Sequence, residues 1–260
     1  MICNNIPIIE YDDNPIAIIQ PDKSDYKFCL PEKCMAIFFK DIFEKMQQLD
    51  NVKELGRVTW ETGDVVYYLF EFEEDGKSFA FYHSWVGAPI SAAVMDLTIA
   101  LGAKSIISIG GCGVINKNLI ENNVSIVLPR EGIRDEGTSF HYIKPSQSVK
   151  PSSKFLVLIE DYLKQKKINY KTVKTWTTDG FYRETNDRTN RRKNQGCDVV
   201  EMEFSAMCAV AQKREIQYAA LFYCGDSVEN NAYDERNWQN NYIMRNNLFN
   251  IAMNILSGGI

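Results

Sequence analysis

The chain has 260 residues, of which 45% are apolar and 24% are charged, and its net charge at pH 7 is -5. This acidic balance argues against broad nucleic-acid binding, which needs a basic face. No apolar run approaches the ~20 residues that cross a bilayer, and the amino terminus lacks the basic start and apolar core of a secretory signal. We therefore expect neither a nucleic-acid partner nor a membrane partner.

The cysteines and histidines argue against two further classes of protein. The seven cysteines show no CxxC or other paired spacing, and most of them stand among apolar residues. Such cysteines are typical of the reduced core of a cytoplasmic protein. With only two histidines in the chain, we do not expect a metal site. We predict a cytoplasmic protein that has no metal and no organic cofactor.

Strand-like and helix-like segments alternate along the chain. In chain order, we predict a strand over residues 15–20, a helix over 36–49, hairpin strands over 65–72 and 78–83, a helix over 89–101, strands over 105–109 and 124–129, a helix over 152–166, a strand over 173–177, a helix over 187–194, a short strand at 199–200, a helix from 203 to about 214, a strand over 217–225 and a closing helix over 240–256. The hairpin turn carries Asp75-Gly76, and Gly102 is the expected end of the second helix. This alternation predicts one domain, residues 1–260, with a parallel or mixed sheet covered on both faces.

Ligands gather at the carboxyl ends of the strands in such sheets, so the residues that follow each strand are the candidates. In SIGGCGVI, the glycines 110, 111 and 113 let backbone N–H groups approach an anion, although a tight strand-to-turn junction explains them equally well. In VVEMEFSAM, Glu203 starts a helix whose dipole favours a carboxylate, and that carboxylate can hold two adjacent hydroxyls or act as a cap. Asp226 follows the apolar strand LFYCGD, where burial would make it a proton donor or leave it a plain turn residue.

Taken in order, GGCGV, TTDGFYRET, VVEMEFSA and YCGDS resemble the nucleoside phosphorylase and uridine phosphorylase superfamily, which includes nucleosidases of the same fold. The resemblance runs from about Pro15 to the last helix. It implies a three-layer α/β/α sandwich with a distorted, mixed central sheet, assembled as dimers or rings of dimers. It also implies that the protein cleaves the N-glycosidic bond of a nucleoside.

The resemblance assigns the ribose site to the EME motif. Met202 and Glu203 correspond to the residues that contact ribose, with Glu203 holding the sugar hydroxyls and Glu201 supporting it. A carboxylate in that place orients the sugar and lies near the positive charge that develops when the C–N bond breaks.

The same resemblance assigns the base site to two segments. Phe181 and Tyr182 match the aromatic pair beside the base. Uridine-specific members carry a glutamine and an arginine after this pair, where this chain has Arg183 and Glu184. The difference argues against uracil recognition by the usual residues, with Arg183 left as a candidate substitute. Asp226 matches the acid that helps protonate a purine at N7 as the base leaves. The aspartate therefore favours a purine, while the base itself stays open.

The family's phosphate residues are matched only in part. The early PGDPxR-like loop of phosphorolytic members corresponds to QPDKSD, residues 20–25, which has no arginine. Their arginine before the glycine turn corresponds to Ser108. A phosphate dianion with few cationic partners is weakly held. The candidate phosphate-binding residues are Gly110, Gly111, Lys23 and Arg57, the last as an arginine lent to a neighbouring subunit.

Three functions follow from this pattern. Phosphorolysis, with inorganic phosphate as co-substrate, is the first, and it needs Lys23, Arg57, Arg134 or Arg183 to supply positive charge. Hydrolysis is the second, and it needs a carboxylate that activates water. Glu10, Asp12 and Asp13 are the only acids before the first predicted strand, and none of them matches a motif of the family well. Binding of a nucleoside without catalysis is the third.

Overall fold

A ten-stranded mixed sheet forms the centre of the computed structural model, which describes residues 6–61, 63–72, 76–229 and 232–258. Its strands are β1 (Lys33–Ile37), β2 (Val52–Trp60), β3 (Gly63–Glu71), β4 (Ser78–His83), β5 (Ser105–Val114), β6 (Ile126–Asp135), β7 (Ser148–Val149), β8 (Tyr170–Thr178), β9 (Val199–Glu201) and β10 (Gln217–Ser227). The helices are α1 (Lys40–Met46), α2 (Ala88–Ala100), α3 (Asn118–Glu121), α4 (Ser139–Tyr142), α5 (Ser153–Gln165), α6 (Asn186–Asn194), α7 (Phe204–Lys213) and α8 (Tyr242–Leu256).

Part of this sheet closes on itself. The strand order is β10-β6-β8-β9-β5-β1-β4-β3-β2, and β10 also pairs with β5. Strands β5, β9, β8, β6 and β10 therefore form a ring, from which β1, β4, β3 and β2 extend as an open wing. The strands β4, β1, β5 and β10 run parallel to one another, so their carboxyl ends meet at one edge.

Helices cover both faces of the sheet, as the alternation of side chains along β10 shows. Tyr218, Ala220 and Phe222 belong to the apolar core that includes α7. The intervening Ala219 and Leu221 belong to a second core, which includes α5 and α8. Because successive strand residues point to opposite faces, these are two separate helix layers. The predicted three-layer α/β/α fold is confirmed, while the single domain over residues 1–260 stays a prediction.

The element predictions fail mainly near the amino terminus. The strand predicted over residues 15–20 is wrong: Ile18 and Ile19 are exposed, and no strand runs there. The first strand is β1, and the helix predicted over residues 36–49 begins only at Lys40. Strand β2 was not predicted. The β3–β4 hairpin is confirmed, although Asp75 of its turn lies outside the described residues.

The glycine segment also differs from the prediction of a turn. Strand β5 continues through the glycines to Val114, and Gly110 and Gly111 pair with Phe222 and Tyr223 of β10. The lack of a side chain at Gly111 serves the packing of a neighbouring ring and not a turn. A Cβ at Gly111 would lie 3.2 Å from the ring of Tyr223, so the glycine permits the ring to pack against the strand.

Three wider properties follow from the described part of the chain. No helix in it is both long enough and apolar enough to span a membrane. The six cysteines in those residues are all free thiols. The same residues contain no group of three or more acidic, histidine or cysteine side chains that would hold a metal ion.

Candidate active site

A cavity of about 300 Å³ lies at the carboxyl ends of β1, β5, β9 and β10. Its volume is within the range of small-molecule sites in proteins. The wall contains four carboxyl groups, two cationic side chains and seven aromatic rings, together with glycines of β5 and β10. The carboxyl groups are Glu184, Glu201, Glu203 and Asp226, the cations are Lys40 and Arg245, and the rings are Phe38, Phe39, Phe181, Phe222, Tyr223, Tyr233 and Trp238.

Glu201 holds together the strand-to-helix junction beneath this cavity. Its Oε1 accepts hydrogen bonds from the hydroxyls of Thr177 at 2.6 Å and Thr175 at 3.1 Å. Its Oε2 accepts from the backbone N–H groups of Glu203 at 2.7 Å and Phe204 at 2.6 Å. These two N–H groups belong to the start of α7, whose first N–H groups have no partner within the helix. Glu201 is therefore mainly a structural carboxyl group, which caps α7 from the preceding strand.

Glu203 stands at the N-cap position of α7 and faces the cavity. Its Oε1 accepts a hydrogen bond from the backbone N–H of Gly87 at 2.6 Å, just before α2 begins. This bond joins α7 to the loop after β4 and fixes the direction of the carboxyl group. A single hydrogen bond to one oxygen leaves the carboxyl group with capacity to accept more from a ligand.

The two neighbouring acids affect each other's protonation. Burial raises the pKa of Glu201, and its four hydrogen bonds oppose that rise. Burial also raises the pKa of Glu203, and the negative charge of Glu201 raises it further. Because like charges in a poorly solvated site disfavour double ionisation, the pair holds a proton to a higher pH than exposed glutamates do.

Asp226 and Glu184 form the second acidic part of the cavity. Burial raises the pKa of Asp226. Burial, followed by the charge of Asp226, raises the pKa of Glu184 to about 7, although Arg188 opposes the rise. Asp226 lies beside β5, where a Cβ added to Gly113 would be 3.5 Å from Oδ1. Both groups can therefore carry a proton closer to neutral pH than exposed acids do, as a general acid requires.

The cationic side chains of the cavity already have acidic partners. Arg245 is buried, forms an ion pair with Asp41 at 3.1 Å, and donates to the carbonyl oxygen of Trp238 at 2.9 Å. Lys40 lies 3.6 Å from Glu44 in an exposed pair. Exposed pairs of this kind are weak, so Lys40 is the cation that is easier to recruit to a ligand.

Six of the predicted site residues line this cavity. They are Met202, Glu203, Asp226, Phe181, Gly110 and Gly111. Glu203 and Asp226 thus share one cavity, as the sequence prediction requires. The ring of Phe181 is 52% exposed at the mouth, so a bound base has room to pack against it.

The other predicted site residues do not line the cavity, which corrects their predicted placement. Tyr182 is 91% exposed, and Arg183 is exposed as well. Lys23 lies in a short 3-10 turn. Arg57 lies on β2, paired with Glu54 at 3.0 Å and Asp64 at 3.1 Å. Within one subunit, none of these four side chains contributes to the cavity wall.

The position assigned to the phosphate loop is also wrong. The segment after the first parallel strand is FFKD, residues 38–41, and not QPDKSD at 20–25. Phe38, Phe39 and Lys40 from it line the cavity. Lys40, Arg245 and Glu184 are the functional candidates that the sequence reasoning missed. Locating the first strand at Lys33–Ile37 would have revealed Lys40, whereas Glu184 and Arg245 reach the cavity only through tertiary packing.

Comparison with known proteins agrees with this geometry. A model of the phosphorylase superfamily matches residues 46–256. The chain therefore belongs to the phosphorylase superfamily.

The individual proteins that the chain resembles share low sequence identity with it. A DeoD-type purine nucleoside phosphorylase of Bacillus cereus is 26% identical over 156 residues, which are 59% of this chain and 65% of that protein. The match thus spans less than two thirds of the relative's length. The fold is similar to that of purine nucleoside phosphorylase from Toxoplasma gondii, solved with immucillin-H, with a TM-score of 0.72, 17% identity and coverage of 88% and 91% of the two chains. Uridine phosphorylase from Vibrio fischeri gives a TM-score of 0.69, 18% identity and coverage of 93% and 97%.

Proposed function

We propose that this protein cleaves the N-glycosidic bond of a nucleoside. The observation that carries the proposal is that Glu203 and Asp226, from distant segments of the chain, line one cavity of about 300 Å³. One acid faces a pentose and the other faces the base that leaves. The family and its purine-specific relatives support this division.

The geometry suits the charges of the reaction. As the C–N bond breaks, positive charge develops on the sugar and negative charge on the base. Glu203, held by the Gly87 N–H, accepts hydrogen bonds from the ribose hydroxyls, and in its ionised form it places negative charge beside the sugar. Met202 packs beside the pentose, and Phe181 packs on the base. Asp226 donates its proton to the base, which then leaves neutral.

Phosphorolysis is the form of the reaction that we propose first. The named relatives are phosphorylases, and Lys40 at the edge of the cavity is the side chain that we assign to a phosphate oxygen. Backbone groups of Gly110 and Gly111 line the same wall. Arg57 from a neighbouring subunit stays a proposal, and Lys23 is not part of it.

Hydrolysis is the second candidate, and the charge of the cavity favours it. Four carboxyl groups face two cations, and Arg245 is already neutralised by Asp41. A phosphate dianion is poorly stabilised in such a site. Water carries no charge and meets no such penalty.

One experiment separates these candidates. The purified protein is incubated with adenosine, inosine, uridine and cytidine, with and without inorganic phosphate, and the sugar product is identified. Phosphorolysis requires phosphate and yields ribose 1-phosphate, while hydrolysis proceeds without phosphate and yields ribose. Binding of a nucleoside without turnover would identify the non-catalytic function and refute both reactions.

The oligomeric state, the location and the metabolic role of the protein are proposed as well. We propose a homo-oligomer, a dimer or a trimer of dimers, because Ile18 and Ile19 are almost fully exposed and a second copy would cover them. Light scattering on the purified protein tests this proposal. A cytoplasmic location and a role in nucleoside salvage are proposed from the reduced cysteines and from the family.

A further inference from the structure

Glu184 has no assigned role, although it is placed beside the proposed general acid. It follows the 3-10 turn Phe181–Arg183 at the end of β8 and lines the cavity together with Asp226 and Phe181. Neither Glu184 nor Asp226 forms an ion pair with any residue that the structure describes, and neither carboxyl group has a hydrogen-bond partner on another described residue. The positive charge of Arg188 opposes the rise in the pKa of Glu184, and that of Arg236 opposes the rise in the pKa of Asp226.

Two such carboxyl groups behave as one unit. Because each is partly buried and each repels the charge of the other, ionising both is unfavourable. The state with a single proton is then preferred near neutral pH. In that state, the pair presents one O–H donor and one carboxylate acceptor to whatever lies in the cavity. Without a ligand the proton lies mainly on Glu184, whose pKa is raised to about 7. A ligand that donates to Glu184 and accepts from Asp226 moves that proton to Asp226.

We propose, on the basis of the nucleoside-cleaving function above, that Glu184 and Asp226 together select a base that carries an amino group next to a ring nitrogen, and that this base is a 6-aminopurine. Asp226 donates to N7, and the Glu184 carboxylate accepts from the 6-amino group. A 6-oxopurine instead points a carbonyl lone pair at Glu184, which repels the carboxylate and leaves it without a donor.

The proton balance of this arrangement is simple. The electrons of the C–N bond pass to the base, and an oxygen of the phosphate or water named above forms the new bond to C1′ of the sugar. The proton of Asp226 passes to N7, so that neutral base and an aspartate carboxylate result. Glu184 exchanges no proton and keeps its hydrogen bond throughout. It is thus a specificity-determining residue, while Asp226 is the acid.

Cytosine presents the same pattern of groups, with a ring nitrogen beside an exocyclic amine. We favour the purine because the cavity has room for a two-ring base with its pentose. Cytidine is therefore included in the experiment as a separate arm.

The test compares kcat/KM for adenosine, inosine and cytidine in the wild type, in Glu184→Gln and in the control Glu121→Gln. Glu121 is an exposed residue of α3 that pairs with Lys117. We expect the wild type to prefer adenosine over inosine at least about tenfold, the scale of one charge-assisted hydrogen bond. The glutamine amide of Glu184→Gln can donate to a carbonyl oxygen, so that preference should fall about tenfold. The control should keep it.

Equal use of inosine and adenosine by the wild type would overturn the proposal, as would an unchanged ratio in Glu184→Gln. A preference for cytidine would overturn its purine part.

A binding experiment separates this proposal from the proposed function. Calorimetry measures the affinity of the wild type and of Glu184→Gln for free adenine, hypoxanthine and cytosine. If no nucleoside is cleaved, the function fails, yet tighter binding of adenine that depends on Glu184 still supports the pairing. Failure of all three bases to bind, or equal binding of adenine and hypoxanthine, would refute it. Circular dichroism confirms that the variants are folded.

Discussion

Replacing the two glutamates of the EME motif one at a time should separate their roles. We expect Glu201→Ala to lose stability and Glu203→Ala to lose nucleoside cleavage with most of its stability intact. The reason is that Glu201 accepts four hydrogen bonds from within the protein, whereas Glu203 accepts one, from Gly87 beside the cavity.

The magnitudes follow from the donors that each change leaves without a partner. In Glu201→Ala, the threonine hydroxyls can rotate to new partners, but the N–H groups of Glu203 and Phe204 cannot. Each unsatisfied donor costs about 1–3 kcal/mol, and removing a buried carboxylate returns part of that cost. We expect a net loss of about 3 kcal/mol. In Glu203→Ala, water in the cavity can replace the lost acceptor, so the loss should be about 1 kcal/mol or less.

Urea unfolding followed by circular dichroism gives both free energies of unfolding. Turnover of adenosine by the same two variants gives the second readout. Equal destabilisation by the two substitutions would refute the assignment of Glu201 as the structural acid. A Glu203→Ala variant that cleaves adenosine at the wild-type rate would refute the ribose role of Glu203.

The remaining predictions concern the acid, its partner and a helix terminus. Asp226→Asn should reduce kcat/KM for adenosine about 100-fold. Cleavage of p-nitrophenyl riboside should be almost unchanged, because its leaving group needs no proton. Equal losses on both substrates would contradict the acid role. The pKa of Glu184 rises to about 7 from an ordinary value of 4.5, so the folded state binds more protons at this group than the unfolded state does. The stability of the wild type should therefore fall relative to that of Glu184→Gln as the pH rises from about 4.5 to 7. Urea midpoints of the two proteins that stay parallel across that range would contradict this prediction. Gly102→Ala should lower the free energy of unfolding by about 2 kcal/mol or more. The reason is that φ is +134° at this residue and the new Cβ would lie 2.6 Å from the carbonyl oxygen of Leu30. Thermal unfolding measures this loss, and a variant as stable as the wild type would contradict the prediction.

The sequence is informative wherever a local pattern decides the structure. Gly102 was predicted to end α2, and the helix does end at Ala100. The β3–β4 hairpin and α5 were predicted within a few residues for the same reason, because turn residues and apolar spacing act over short distances.

The errors arise where burial depends on distant parts of the chain. Residues 15–20 are as apolar as a buried strand, yet nothing in the described chain covers Ile18 or Ile19. The segment from Met35 to Phe39 is continuously apolar, and such a short run does not distinguish a strand from a helix. Strand β2 has charged residues at its exposed positions and was missed.

The residues of the candidate site divide in the same way, into those that a local motif predicts and those that only tertiary packing brings to the cavity. Glu203 and Asp226 were predicted because each stands in a short motif at the end of a strand. Arg245 was not, because a single arginine in the first turn of a helix has no local mark of function. Its place beside Tyr223 arises only when α8 packs against β10. Glu184 was missed because Arg183 and Thr185, its neighbours in sequence, are polar, and because only the folded chain brings it into one cavity with Asp226.

The closed ring of β5, β9, β8, β6 and β10 has a consequence for how the molecule opens. A strand in a closed ring has a neighbour on each side, so detaching any one of them breaks two ladders of backbone hydrogen bonds together. The amides of these five strands should therefore exchange with deuterated solvent as one slow group. Strand β2, which pairs with β3 alone at the end of the wing, should exchange first. Asp226 lies on β10 and Glu203 follows β9 by two residues. The spacing of the two acids should therefore survive partial unfolding of the wing.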